Sequence, residues 1–310
     1  MEPSEASQPQ SARNQRLAGF FIQNELGETV RPDNETTELD MQTSIKRAIT
    51  GFAAAWTFLT IIPLPGCQTR QTAADMAASS AFFPLVGLGL GLLTVVGWSL
   101  LSPFFDLPAS QPLLALLMAG LLLLLSGGLH LDGLSDTADG FFSARSRERI
   151  LEIMRDSRIG VMGVIGVVAV LGCKVLALAA IGGKYMWMPL LLMPVTGRTA
   201  ILLQMALLAP ARSGDGLANL FFDRLSRREL IRTASLASLF VLAVSWLIAG
   251  GGGLLASAAA LSVSCLLALI CRRTIGGATG DTLGAASELT EAALAACFAS
   301  RPVLALLSFG

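Results

Sequence analysis

Seven stretches of this chain stay apolar for about as long as an α-helix needs to cross a bilayer: 81–105, 112–131, 159–182, 186–209, 234–250, 254–271 and 292–309. A hydrocarbon core of roughly 30 Å takes roughly 20 residues of helix, and within lipid a helix satisfies its own backbone hydrogen bonds. The expected fold class is therefore all-α: a polytopic helical membrane protein with about seven transmembrane helices. Composition agrees, because charged residues make up 14% of the chain, well below the ~25% usual in soluble domains. An earlier run, 48–64, is short and ends in PLPG, which leaves spanning, re-entrant and interfacial placements open. The last run carries Arg301 and Pro302 in its middle, a natural break.

Residues 1–45 are a different material, with three basic against eight acidic side chains and no sustained apolar period. That composition predicts a disordered acidic N-terminal tail, followed by a helical membrane catalytic domain over 46–310. The tail lacks the basic start and apolar core of a signal peptide. The formal net charge is zero, so nothing in the overall balance calls for a nucleic-acid partner. Five cysteines are scattered without a CxxC pair and read as small core hydrophobes. The single histidine, His130, excludes catalytic schemes that need two.

Counting crossings from the run at 81–105 puts the segments 132–158, 210–233 and 272–291 on one side of the membrane. Those segments hold twelve basic residues, while the connections on the other side hold only Lys184. Positive residues stay cytoplasmic, so the three segments, and every polar motif of the chain, are expected on the cytoplasmic face.

The first motif, GGLHLDGLSDTADG, spaces Asp132, Asp136 and Asp139 at i, i+4 and i+7, on one face of a helix. Like charges so placed repel by roughly 0.2–0.5 kcal/mol per pair on a solvated helix, and by more beside hydrocarbon. A hard cation among the oxygens relieves this, and Mg²⁺ held by a few carboxylates plus substrate phosphate is the usual case. A helix cap accounts for one acid but not for three. His130 in the same motif reads as a base, a ligand or an ordinary interfacial hydrogen-bonding group.

In IMRDSRIG, Arg155 and Arg158 flank Asp156. They read either as positive-inside arginines or as guanidinium forks for phosphate oxygens, with Asp156 as a metal ligand or proton acceptor. In GGATGDTLGAASELTE, Gly276, Gly277 and Gly280 free a turn whose N–H groups suit an anion. Asp281, Glu288 and Glu291 then follow on one helical face. Lys174 and Arg198 lie inside apolar runs, at roughly 2.5–3.5 kcal/mol each if central. Both are expected to face the interior, toward an anionic substrate or toward those acids. The candidate set is thus Asp132, Asp136, Asp139 and Glu288 for Mg²⁺, with Arg155, Arg158, Lys174 and Arg198 for phosphate. Asp156, Asp281 and His130 remain for proton transfer. Together they point to metal-assisted phosphoryl transfer at a membrane.

These motifs, with TFLTIIPLPG, FFPLVGLGLG, FSARSRERILEIMRDSRIG, GRTA and GLANLF, resemble the cobalamin synthase family, the adenosylcobinamide-GDP ribazoletransferases. The likeness runs from about residue 50 to 291. It departs at Ile62, where the family often carries arginine, and members usually start near Ser44, so the tail is an addition. The resemblance implies a Mg²⁺-requiring enzyme of the bacterial cytoplasmic (inner) membrane with its active site facing the cytoplasm. Its partners would be adenosylcobinamide-GDP, α-ribazole or α-ribazole 5′-phosphate, and membrane lipid. The reaction would release GMP and form adenosylcobalamin or its 5′-phosphate. The preferred base and the oligomeric state, a homo-oligomer included, stay open. A CDP-alcohol phosphotransferase fits less well, because DGFFSAR is one residue longer than its DGxxAR and the second DxxxD is missing. A transporter would place its charges near the midplane rather than in arginine-rich loops.

Overall fold

The computed structural model describes residues 33–64, 73–212 and 217–308, and among them secondary structure is helical, with one isolated bridge between Pro210 and Ala278. In chain order the α-helices are α1 (Asp33–Leu59), α2 (Ala73–Ser79), α3 (Phe83–Leu101), α4 (Gln111–Leu125), α5 (Leu129–Phe141), α6 (Arg147–Ile153), α7 (Val161–Ile181), α8 (Trp187–Leu207), α9 (Leu217–Arg224), α10 (Arg227–Thr274), α11 (Gly280–Phe298) and α12 (Arg301–Ser308). Residues 48–310 form one compact unit, which contains every site residue discussed below. Of the expected disordered tail, residues 1–32 lie outside the described residues, and residues 33–45 are part of α1.

Helix α8 is the axis of this unit, packed against α3, α10 and α11 and almost wholly buried. Glycines set the closeness of one of those contacts. A Cβ on Gly87 would sit 2.8 Å from the Pro194 carbonyl carbon, and one on Gly91 would sit 3.0 Å from Leu191 Cα. No side chain fits between the two backbones, which is how small residues drive helix association in lipid. The outward faces are apolar instead: Leu92, Val96 and Leu100 on α3 and Leu236, Leu239 and Leu247 on α10 are all exposed. Apolar exposure on that scale is a lipid-facing surface. Polar side chains turn inward and pair, as Gln204 Nε2 does by donating to the Ser264 carbonyl at 2.7 Å.

Five helices are long and apolar enough to cross a membrane, or six if the bent pair α11 and α12 is one span. The sequence reading of about seven differs mainly at α10, a single element of 48 residues. The chain doubles back within it. Ala249 and Gly250 leave helical geometry, and the hydroxyls of Ser245 and Ser257 meet at 2.6 Å. A straight helix would hold residues twelve apart about 18 Å apart along its axis. The GGGG at 250–253 makes the turn, with Gly250 at φ +52° and Gly253 against the Ser245 carbonyl.

The run at 48–64 is not a membrane-length apolar helix; α1 ends at Leu59, and Trp56 Nε1 donates to the Ile62 carbonyl at 3.0 Å to hold the following turn. Within the segment 272–291 the helix expected after the glycines begins at Gly280, where Thr279 and Thr282 form a reciprocal capping box. The break at Arg301 appears as a 65° bend between α11 and α12.

Candidate active site

Two glycines let α5 and α11 cross with their backbones in contact. A Cβ on Gly133 would lie 2.7 Å from the Asp281 carbonyl oxygen, and one on Gly284 would lie 3.0 Å from that of His130. The crossing sets His130 and Asp132 of α5 and Asp281 of α11 on the wall of one cleft. Arg212 and Thr279 add to its polar lining, and Phe58 and the buried Phe83 and Phe221 to its apolar lining.

The polar side is held by loops pinned to one another. Ala211 N–H donates to the Ala278 carbonyl and Ala278 N–H to that of Ala209, both at 2.8 Å. Gly277 permits this approach, since a Cβ there would be 2.8 Å from Ala211 N. Arg147 Nη2 donates to the Ala211 carbonyl at 2.8 Å and so fastens α6 to the same loop. Gly276 N–H goes to Cys271 and Thr279 N–H to the Thr282 hydroxyl. Within the glycine turn, expected to cradle an anion, the N–H groups of Gly276, Ala278 and Thr279 are thus already taken. Thr279 Oγ1 donates to Asp281 at 3.2 Å, and Arg212 Nη2 stands 3.6 Å from the same carboxylate.

Along α5 the three aspartates divide. Asp136 lies one turn beyond Asp132, and its carboxyl is pushed up to about 6, chiefly by burial and then by the charges of Asp132, Asp281 and Asp139. Asp139 is engaged elsewhere: its oxygens accept from Gly160 N–H at 2.6 Å and Gly163 N–H at 2.8 Å. It caps the start of α7, so the structure gives this member of the expected metal row a structural partner. Among the described residues no three His, Cys, Asp or Glu side chains converge as a preformed metal cage.

His130 is buried; that burial, with the charges of Arg198 and Lys174, holds its imidazole well below the usual range. Asp156 is held down to about 2 by Arg158, whose Nη2 and Nε donate to it at 2.6 and 3.0 Å. That pair is on the surface and self-satisfied, which makes Asp156 a poor proton acceptor. Arg155 is close enough to Asp281 and Arg212 to interact electrostatically with both.

Lys174, Arg198, Glu288 and Glu291 form a separate, buried cluster. Lys174 Nζ lies 2.7 Å from both glutamates, and Arg198 Nη1 pairs with Glu291. Glu288 sits about 10 Å further along α11 than Asp281 at 1.5 Å per residue. Its assignment to the metal, and those of Lys174 and Arg198 to phosphate, give way to this mutual pairing. Two positive and two negative side chains neutralise one another where lipid excludes water.

Arg212, Thr279 and the three phenylalanines were not singled out from sequence. Arg212 read only as one of twelve positive-inside residues, and its link to Asp281 exists because the 211 and 278 loops pair. The phenylalanines come from three distant stretches, TFLT, FFPL and GLANLF, and sequence distance hides their convergence.

The fold and the cleft together define a class: a polytopic membrane protein with acids and arginines gathered at one end of its helices around a half-apolar site. The profile of the cobalamin-5-phosphate synthase (CobS) family matches residues 51–299. The chain is 41% identical over 248 residues to an adenosylcobinamide-GDP ribazoletransferase of Roseiflexus sp. (strain RS-1), covering 79% of this chain and 88% of that one. It is 38% identical over 250 residues to the protein of that name from Syntrophobacter fumaroxidans, covering 79% and 98%. With that of Escherichia coli O17:K52:H18 it shares 37% over 243 residues, covering 77% and 95%. No solved structure matches it. This chain belongs to the cobalamin-5-phosphate synthase family.

Proposed function

We propose that the chain joins α-ribazole or its 5′-phosphate to adenosylcobinamide-GDP and releases GMP. The observation that carries this reading, beyond family membership, is the α5–α11 crossing that sets Asp132 and Asp281 on one cleft beside Arg212. In the reaction a ribose hydroxyl oxygen bonds to the cobinamide-bound phosphorus, and the bond from that phosphorus to the bridging oxygen breaks. GMP leaves with the electron pair, and the hydroxyl proton passes to a base. Such chemistry asks the protein mainly for position and charge neutralisation.

Asp132 and Asp136 suit Mg²⁺: they are hard oxygen donors one helical turn apart, and burial first, then the Asp132 charge, raises the Asp136 carboxyl. Two carboxylates plus substrate phosphate oxygens match the way this ion is usually held. When bound, the ion would neutralise charge on the diphosphate. Arg212 and Arg155 would contact phosphate oxygens, and Asp281, the other carboxylate on the cleft wall, would take the hydroxyl proton. His130, buried and weakly basic, serves better to orient substrate than to remove a proton. The positive-inside asymmetry supports a cleft on the cytoplasmic face of the bacterial inner membrane.

The test is the purified chain in detergent with Mg²⁺, adenosylcobinamide-GDP and α-ribazole. GMP release dependent on both substrates is expected. Uptake of either substrate into vesicles without GMP release would overturn the reading.

A further inference from the structure

Helix α6 holds Arg212, which lines the cleft, from two points. At its first residue, Arg147 Nη2 donates to the Ala211 carbonyl at 2.8 Å. One turn on, the Leu151 carbonyl accepts from Arg212 Nη1 at 3.3 Å. Arg212 Nη2 stands 3.6 Å from Asp281, so its guanidinium is held between α6 and the carboxylate on the cleft wall. Arg147 also covers the second loop of the polar wall: a Cβ on Gly276 would lie 3.2 Å from its Cζ. The base on which it stands is firm. Ile150 and Met154 are buried, and a Cβ on Gly140 of α5 would lie 2.6 Å from Met154 Cγ. Arg147 itself is exposed and does not line the cleft. A positive-inside residue needs only its charge; a guanidinium donating to a carbonyl 64 residues away serves geometry.

We propose that Arg147 is a positioning residue for the transfer: from outside the cleft it fixes the loop that carries Arg212, and so sets that guanidinium for the diphosphate. This rests on the transferase reading. Ala211 carries the effect, because its N–H is committed to Ala278 and its carbonyl to Arg147. Both polar backbone groups of the residue before Arg212 are therefore anchored. Without Arg147 the loop stays docked through the Ala211 and Ala278 N–H groups, so the fold is kept. Its tie to α6 is lost, and with it the fixed distance between the Leu151 carbonyl and Arg212. Phosphoryl transfer depends on position, and displacing a positioned group by about 1 Å can cost about a hundredfold in rate.

The experiment measures GMP release by the full chain in detergent with Mg²⁺, for the wild type, Arg147→Met, Arg212→Met and the double variant, with thermal melting beside it. Arg147→Met should lose about tenfold or more in kcat/KM for adenosylcobinamide-GDP. Its KM for α-ribazole should stay within about twofold, and its melting temperature within about 2 °C of wild type, as for a surface change. The double variant should be no slower than Arg212→Met, since Arg147 acts only through Arg212. Arg147→Lys, which keeps a donor for the carbonyl, should recover most of the loss. Losses that multiply in the double variant would overturn the proposal by giving Arg147 a role of its own. A collapse of the Arg147→Met melt would overturn it by making the contact a tie of the fold. Normal turnover by Arg212→Met would overturn it and leave the transferase reading in place. Absence of GMP release by the wild type would overturn that reading and the proposal with it.

Discussion

Asp136 and Asp139 are three residues apart on α5, yet their surroundings oppose each other. Asp136 faces other acids and is pushed up to about 6 from the ordinary 3.8, mostly by burial. Between those values the folded chain keeps a proton that the unfolded chain has lost. The stability contributed by this group is therefore complete below about pH 4 and declines as pH rises through about 6. Without Mg²⁺, the melting temperature of the wild type should fall relative to that of Asp136→Asn across this window, and coincident profiles would contradict the assignment. Asp139 accepts two backbone N–H groups at the start of α7. Asp139→Ala should cost about 0.5–2 kcal/mol of stability, the usual value of a lost cap. Thermal melting would show it, while the Mg²⁺ concentration for half-maximal GMP release should not move.

At the scale of elements, the Lys174, Arg198, Glu288 and Glu291 cluster ties α7, α8 and α11 together. Removing one charge from a buried, balanced set strands the others, at a typical cost of about 3–5 kcal/mol. Glu291→Gln should thus lower the melting temperature in detergent far more than a surface change does, and Arg198→Met/Glu291→Met should recover much of the loss. An unchanged melt in the single variant would show that the pair is not coupled. The sequence showed that Lys174 and Arg198 must face inward, since charge inside an apolar run leaves little choice. Their partners were less legible, because Lys174 and Glu288 are 114 positions apart. Glu288 and Glu291 were legible as acids on one helical face and as one of two targets for the inward lysine and arginine, but their spacing alone did not decide between that pairing and an anionic substrate. Local signals served better: apolar length marked the membrane helices, and the spacing of Asp132, Asp136 and Asp139 marked α5.

For the molecule as a whole, the account requires the α5–α6 connection, the start of α10 and the end of α10 to lie on one side of the membrane. Single cysteines at Ser143, Ser226 and Arg273, in chains whose native cysteines are replaced, should all react with an impermeant reagent from the cytoplasmic side of oriented vesicles. Reaction of any one from the opposite side would break the topology that builds the cleft. The central proposal is narrower: Asp132 and Asp136 would hold Mg²⁺ beside the cleft, with Asp139 a cap. Its most direct measurement is GMP release across a Mg²⁺ titration for Asp136→Asn and Asp139→Asn beside the wild type. The account predicts a loss on the order of a thousandfold for Asp136→Asn, with a raised Mg²⁺ requirement, since each 1.36 kcal/mol of transition-state stabilisation is about tenfold in rate. It predicts an unaltered requirement for Asp139→Asn. Near-normal turnover by Asp136→Asn at the wild-type Mg²⁺ requirement would contradict it.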